Sequence, residues 1–408
     1  MCREAAKLDE RGKDDSRTFD VRVLENSERF YLFRDALMRR LLLAGAILLA
    51  GCSGSSGPKM AELDELPSSI PVRTLWQADV GKAGDAIFFP AFVDGGVYAA
   101  AEDGTVARFD AATGRESWRV NAKQTLSGGV GSDGALVAVG TLDGEVIVFD
   151  AAKGEAKWRA RVSSEILSPP VVTGDLVIVR TGDGRLFALD AKDGKRRWLY
   201  QRSSPPLSVR SPVGMVADRG NLLTGFAGGK LVSMALANGG VRWEATVSLP
   251  RGATELERVT DVVGVPVVAE REVCAVAYQG RIGCFDGASG NVSWSRELSS
   301  TAGLAVDARY VFVSDDKGAV QALDRAGGAT IWKQDRLFLR RLTAPLPLGD
   351  VVAVGDVEGY VHFLSRETGA FVGRVATDGS PIRSSILRLD QGLLVQTQEG
   401  NLYALSLR

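Results

Sequence analysis

Histidine is nearly missing from this chain: among 408 residues only His362 carries an imidazole. One imidazole cannot build a multi-histidine metal cluster, and it argues against Ser/His/Asp and Cys/His nucleophilic schemes. Cysteine is scarce too. Cys2, Cys52, Cys274 and Cys284 include no adjacent pair and no Cys-x-x-Cys, so neither zinc-ligand nor thioredoxin-like spacing is present. An excess of one charge is also lacking. With 49 Lys and Arg against 50 Asp and Glu, nothing points to a nucleic-acid face or an acidic tail. No G-x-x-x-x-G-K-[ST] loop occurs, and the glycine run at 128–131 has no strand–helix context for phosphate binding. The sustained apolar run at 41–50 is too short to cross a bilayer as a helix.

That run has a different use. Arg39 and Arg40 precede it and Gly51-Cys52 end it, which is the layout of an export signal with small residues at its cleavage site. Leu49-Ala50-Gly51-Cys52 resembles the bacterial lipobox. The resemblance implies cleavage before Cys52 and acylation of that cysteine, with three acyl chains giving a stable anchor. Residues 1–37 are charge-rich and do not belong ahead of such a signal, whereas Met38 would begin a normal one. The expected organisation is an extension at 1–37, a lipoprotein signal at 38–51, a flexible lipidated linker at 52–70 and one folded domain at 71–408.

What the chain has in abundance is glycine, placed regularly. Gly104, Gly144, Gly184, Gly229, Gly280, Gly318, Gly359 and Gly400 lie 40, 40, 45, 51, 38, 41 and 41 residues apart. Six of them are followed fourteen residues later by tryptophan: Trp118, Trp158, Trp198, Trp243, Trp294 and Trp332. The seventh copy has Gly373 at that position, and the eighth stops at the C-terminus. A period near forty with short strands and turn residues marks a β-propeller.

One repeat shows how the pattern becomes a blade. Val171 and Val172 open a short inner strand, and Leu176–Arg180 reads as a strand buried on both faces. Asp183-Gly184 predicts a type I′ hairpin. A third strand ends at Asp190, and an outer strand carries Trp198. Eight four-stranded blades follow, an all-β architecture. The eighth repeat lacks an outer strand, while Trp76 lacks a preceding glycine copy. The strand around Trp76 is therefore predicted to complete the last blade and remove the open edges. The repeated tryptophans are predicted to fill the wedges between blades. Asp110, Asp150, Asp190, Asp286 and Asp324 share one turn position, so they read as turn formers rather than catalytic carboxylates. Across a two-residue turn Cys284 falls opposite Ala275, so a disulfide with Cys274 needs a bulge; otherwise both are small core residues.

The signature [LF]-D-x-x-x-G-x-x-x-W, clearest at Phe109–Trp118, Phe149–Trp158 and Leu189–Trp198, resembles the quinoprotein-type propeller repeat. Two branches share it. The quinone-dependent dehydrogenases have adjacent cysteines and a calcium site, and this chain has no adjacent cysteines. From Cys52 onward the chain more closely resembles the BamB family, lipoprotein subunits of the outer-membrane β-barrel assembly machinery, notably at LSVRSP (207–212), at 255–268, at 277–286 and at 351–364. The family resemblance implies a non-enzymatic scaffold with no cofactor and no metal, anchored in the outer membrane and facing the periplasm. Its partners would be the POTRA domains of the barrel subunit BamA and unfolded barrel proteins. A quinoprotein dehydrogenase and a general periplasmic ligand-binding propeller are the competing readings.

The two long repeat steps, 45 and 51, place extra residues at 201–212 and 246–261 on consecutive blades. Enlarged neighbouring loops on one face are where binding collects. Glu255, Glu257, Arg258 and Asp261 charge the second loop. By motif match, the resemblance carries a partner-binding role onto Leu207, Val209, Arg210 and Asp261. Val263 stands where relatives have a second acidic residue.

Overall fold

The computed structural model describes residues 57–66, 70–203 and 205–407. The expectations for 1–51 and for Cys52 lie outside them. Thirty-two strands form eight separate four-stranded antiparallel sheets, each in the order inner to outer strand. The sequence dictates this locally. Second and third strands, such as Leu176–Arg180 and Leu186–Asp190, are apolar and buried almost throughout. Outer strands such as Arg196–Tyr200 are mostly exposed but bury their tryptophan. Each sheet is thus covered on both faces by its neighbours. The core is divided into clusters between adjacent blades, for example Leu176, Ile178 and Trp198 against Leu222, Phe226 and Met234. Each buried aliphatic or aromatic side chain there contributes roughly 1.5–3 kcal/mol.

The ring closes as the leftover Trp76 predicted. Val72–Asp79 is the outer strand of the eighth blade, paired antiparallel to Asn401–Leu407 from Val72 opposite Leu407 to Asp79 opposite Asn401. Both ends of the folded domain therefore meet in one sheet.

The tryptophan register has a specific receptor. In Trp158 the indole N–H donates to the Ala191 oxygen of the next blade at 2.8 Å. Its ring occupies the space above Gly194, where a Cβ would come within 2.6 Å of it. Gly194 has φ of +73°, a conformation that glycine adopts without cost. Trp76, Trp118, Trp198, Trp243, Trp294 and Trp332 repeat the bond onto Ala111, Ala151, Leu236, Gly287, Arg325 and Arg366. So the turn glycine of each of the first seven blades, preceded by D-x-x-x in five of them, seats the tryptophan of the blade before. A bulge beside this position in each outer strand, such as that opposite Ala188 and Leu189, adds local twist. The exception is now explained: the eighth blade has no such turn, because Val72–Asp79 supplies its outer strand, and the seventh carries Gly373 instead of tryptophan.

Three expectations are corrected. The Asp183-Gly184 hairpin is not type I′. Thr181 N–H bonds to Arg185 O and Gly184 N–H to Thr181 O, and only Gly184 has positive φ, a type I turn with a left-handed glycine bulge. Two-residue I′ turns sit instead at the inner hairpins Asp94-Gly95 and Arg219-Gly220, where both residues have positive φ. The fifth-blade hairpin likewise has a three-residue loop, Tyr278 to Gly280, since Ala277 N–H reaches Arg281 O. That extra residue sets Cys274 directly opposite Cys284 without a bulge, and the two are joined as a disulfide inside the core. Finally, the compact unit begins at Met60, not 71, so part of the expected flexible linker is bound to the propeller.

The shared aspartates are turn formers in the structure. Asp110, Asp150, Asp190, Asp286 and Asp324 each accept main-chain N–H groups two or three residues on, as Asp190 does from Lys192 at 2.9 Å. Hydrogen bonds to its Thr113 neighbour hold Asp110 below the usual carboxylate range.

Candidate functional site

Strand parity places both enlarged links on one face. The links from outer strand to next blade run to the same end as the hairpins between second and third strands. On that face, the links 201–214 and 247–266 stand beside one another over the third, fourth and fifth blades.

Asp261 holds them together. It is 3% exposed. One carboxylate oxygen accepts the Val209 N–H at 2.6 Å, and the other accepts the Gly228 N–H at 3.1 Å. Its own carbonyl accepts the Tyr278 N–H at 2.9 Å. Buried in this way, Asp261 positions the two links that form the surface. Val263, at the doubtful acidic position, is also buried.

The first link runs 205–210 with Leu207 exposed, Val209 half-buried and Arg210 reaching outward. Arg210 approaches Glu165 at 3.5 Å but leaves most of its side chain in solvent. The second link folds on itself. Thr254 and Glu257 make a reciprocal capping pair: the Glu257 carboxylate accepts the Thr254 N–H at 3.0 Å, and the Thr254 hydroxyl accepts the Glu257 N–H at 3.3 Å. Arg258 donates to Gly252 O and lies 3.7 Å from Glu255. Those two charges therefore answer each other first. Leu256 on the crest is 72% exposed and Leu249 at the base 61%. Neither leucine stood out in the sequence; the available signal was an apolar residue isolated in a charge-rich loop.

Beneath the links lies a cleft of about 280 Å³ bordered by Arg180, Asp183, Arg202, Val209, Arg210 and Asp261. Arg180 is buried and donates to Gly225 O at 2.6 Å and Thr224 Oγ1 at 3.2 Å. Its guanidinium lies 4.6 Å from the centre of the Phe226 ring, and that of Arg202 lies 5.1 Å from it. Desolvation pushes the Arg180 guanidinium down to about 10, so it stays charged at neutral pH. A second cavity, of about 350 Å³, lies along the propeller axis, bordered by Phe89, Pro170, Met215, Val265, Ala344 and Leu387. Its lining contains hydroxyls and Arg383 but no carboxylate.

The family model for the outer membrane protein assembly factor BamB matches residues 102–334. The chain is 46% identical to BamB of Bordetella pertussis over 385 residues, covering 93% of this chain and 98% of the relative. The chain belongs to the BamB family. BamB of Pseudomonas aeruginosa is also 46% identical, over 90% of this chain and 98% of its own. Among solved structures, BamB from Moraxella catarrhalis superposes with a TM-score of 0.76 at 30% identity, over 82% of this chain and all of that one. A quinohemoprotein alcohol dehydrogenase from Comamonas testosteroni gives 0.66 at 14% identity, over 82% of this chain and 76% of its own, a likeness of fold alone.

Proposed function

We propose that the chain acts without catalysis, as the scaffold lipoprotein of outer-membrane protein assembly. In this reading Cys52 carries the acyl anchor in the inner leaflet of the outer membrane and the propeller faces the periplasm. The links at 201–214 and 247–266 dock the POTRA domains of BamA, and the assembled complex helps fold and insert unfolded barrel proteins.

The observation that carries this is the pair of enlarged links clamped by Asp261 over an arginine-lined cleft. Together they offer Leu207, Leu249 and Leu256 as apolar contacts, with Arg210 beside them. Exposed apolar groups next to an arginine are the usual make-up of a binding hot spot. Arg210, with most of its side chain in solvent at the mouth of the cleft, suits an acidic side chain from the partner. The dehydrogenase reading has less support: the axial lining offers no carboxylate to balance the charge of a calcium ion.

Capture of BamA from detergent-solubilised membranes tests the docking. Arg210→Glu places a like charge before an acidic partner and should weaken capture at least about thirtyfold, as expected for a hot spot worth about 2 kcal/mol. A folded Arg210→Glu protein that captures BamA as well as the parent would reject the site.

A further inference from the structure

The segment ahead of the first strand is held by groups outside the two enlarged links, where the sixth blade passes to the seventh. Ala61 N–H donates to Phe338 O at 3.0 Å, and Ala61 O accepts from Arg340 Nη1 at 3.1 Å. Leu63 packs against the cluster containing Trp332, Leu337 and Leu342. The Asp64 carboxylate pairs with Arg336, while its main-chain oxygen accepts from Arg374 at 3.0 Å. Arg336 and Arg374 both lie near the Phe371 ring, at 5.4 and 5.9 Å. Ile70 N–H then bonds Val372 O at 2.7 Å.

The receptor is built deep. Arg340 is 1% exposed. Its Nε donates to Asp356 at 2.6 Å and its Nη2 to Glu358, leaving Nη1 for Ala61. Asp356 also accepts from His362 Nε2 at 2.8 Å, and Arg374 donates to His362 Nδ1 at 3.2 Å. That pair of bonds fixes the neutral tautomer with its proton on Nε2. Each guanidinium of the set thus has a fixed task, and two of the tasks are to hold the backbone of residues 61 and 64. Without the segment, a buried arginine N–H would lose its acceptor, which is costly in a low-dielectric setting.

We propose that residues 60–66 are a latch, pinning the chain to the junction of the sixth and seventh blades and setting where the anchored N-terminus leaves the propeller. The anchoring half rests on acylation of Cys52. Only eight Cα-to-Cα steps, with seven residues between, separate Cys52 from Met60. At no more than about 3.6 Å each, the reach is at most about 29 Å. A free linker up to Val72 would allow about 70 Å by the same rule. The latch therefore keeps the sixth- and seventh-blade edge next to the lipid, on the face that carries the docking links but at different blades.

Hydrogen exchange on the full chain tests the latch. The amides of residues 61–64 should exchange at least about tenfold slower than those of a free peptide. Arg336→Glu should remove that protection, and the charge-swapped pair Asp64→Arg with Arg336→Glu should restore it. Free-peptide exchange in the parent protein, or no recovery in the swapped pair, overturns the latch. Orientation is read on the acylated protein bound to vesicles containing a headgroup quencher, with a dye on Asp335→Cys or Gln124→Cys. Position 335 should be quenched more strongly, and Arg336→Glu should reduce the difference. Equal quenching in the parent overturns the orientation. Failure to bind vesicles overturns acylation, and with it the orientation, while the exchange result still decides the latch.

Discussion

Trp158 and Gly194 form a knob and its seat: the indole of one blade lies where any side chain on the next blade's turn would have to go. Gly194→Ala must displace that ring and also place a Cβ on a residue with φ of +73°. The expected loss is about 2–3 kcal/mol, from overpacking and backbone strain together. Urea unfolding should show a lower midpoint, and Trp158→Ala should lose about 3 kcal/mol at the same junction. The double variant should lose less than the sum, because both changes break one contact.

Asp261 and Arg210 should separate in their effects. Asp261→Ala leaves the N–H groups of Val209 and Gly228 without their carboxylate, a cost of about 1–3 kcal/mol for each bond left unmade under cover. It should lower both the melting temperature and the capture of BamA. Arg210→Glu, on an exposed side chain, should lower capture while the melting temperature stays within about a degree. Equal melting temperatures for the two variants would contradict the positioning role of Asp261.

The disulfide closes a short loop, ten residues apart in sequence. Cross-linking a loop of this size stabilises by roughly 2–3 kcal/mol through the unfolded chain. Replacing both Cys274 and Cys284 with alanine should reduce stability by about that amount, as should reduction after unfolding. A thiol titration of the denatured, unreduced protein should find neither cysteine free.

Acid should act on the buried His362–Asp356 pair. Burial holds the His362 imidazole below its ordinary 6.5, despite the neighbouring carboxylate. In the unfolded chain the histidine protonates first, so its contribution to stability is present above about 6.5 and is lost as pH falls through the lower folded value. Asp356 is also held low, its bonds to His362, Tyr360 and Arg340 outweighing burial, so its share disappears at still lower pH. Melting temperature should decline from pH 7 to pH 5, and His362→Gln should flatten that part of the curve.

Ring closure predicts an all-or-none effect of truncation. Deleting residues 70–80 removes the outer strand of the eighth blade and the Trp76 knob that seats on Gly114. Cooperative unfolding should disappear. A truncated protein melting like the parent would contradict the closure.

Much of this was legible because a propeller repeats its local chemistry. The glycine spacing yields the number of blades, and an orphan Trp76 together with a blade lacking its fourth strand yields the closure. Turn type was not legible: Asp-Gly suits both a two-residue I′ turn and a three-residue turn with a glycine bulge, and neighbouring strands decide between them. The same one-residue ambiguity at Tyr278 to Gly280 hid the pairing of Cys274 with Cys284. The loop spacing located the two enlarged links, but not which side chains emerge on them. Asp261 resembles a surface charge until two main-chain N–H groups converge on it. The latch was invisible, since Ala61, Leu63 and Asp64 follow no period and their receptor is assembled from Arg336, Arg340 and Arg374 nearly three hundred residues away.

Having Val72–Asp79 and Asn401–Leu407 side by side also sets a schedule. The first strand to emerge during synthesis or export has no partner until almost the last residue has followed it. Through that interval the eighth sheet is incomplete and both of its neighbours are uncovered on one side. The polypeptide must therefore be kept from associating until its tail arrives, and premature release of even a short C-terminal stretch would leave an open arc instead of a ring.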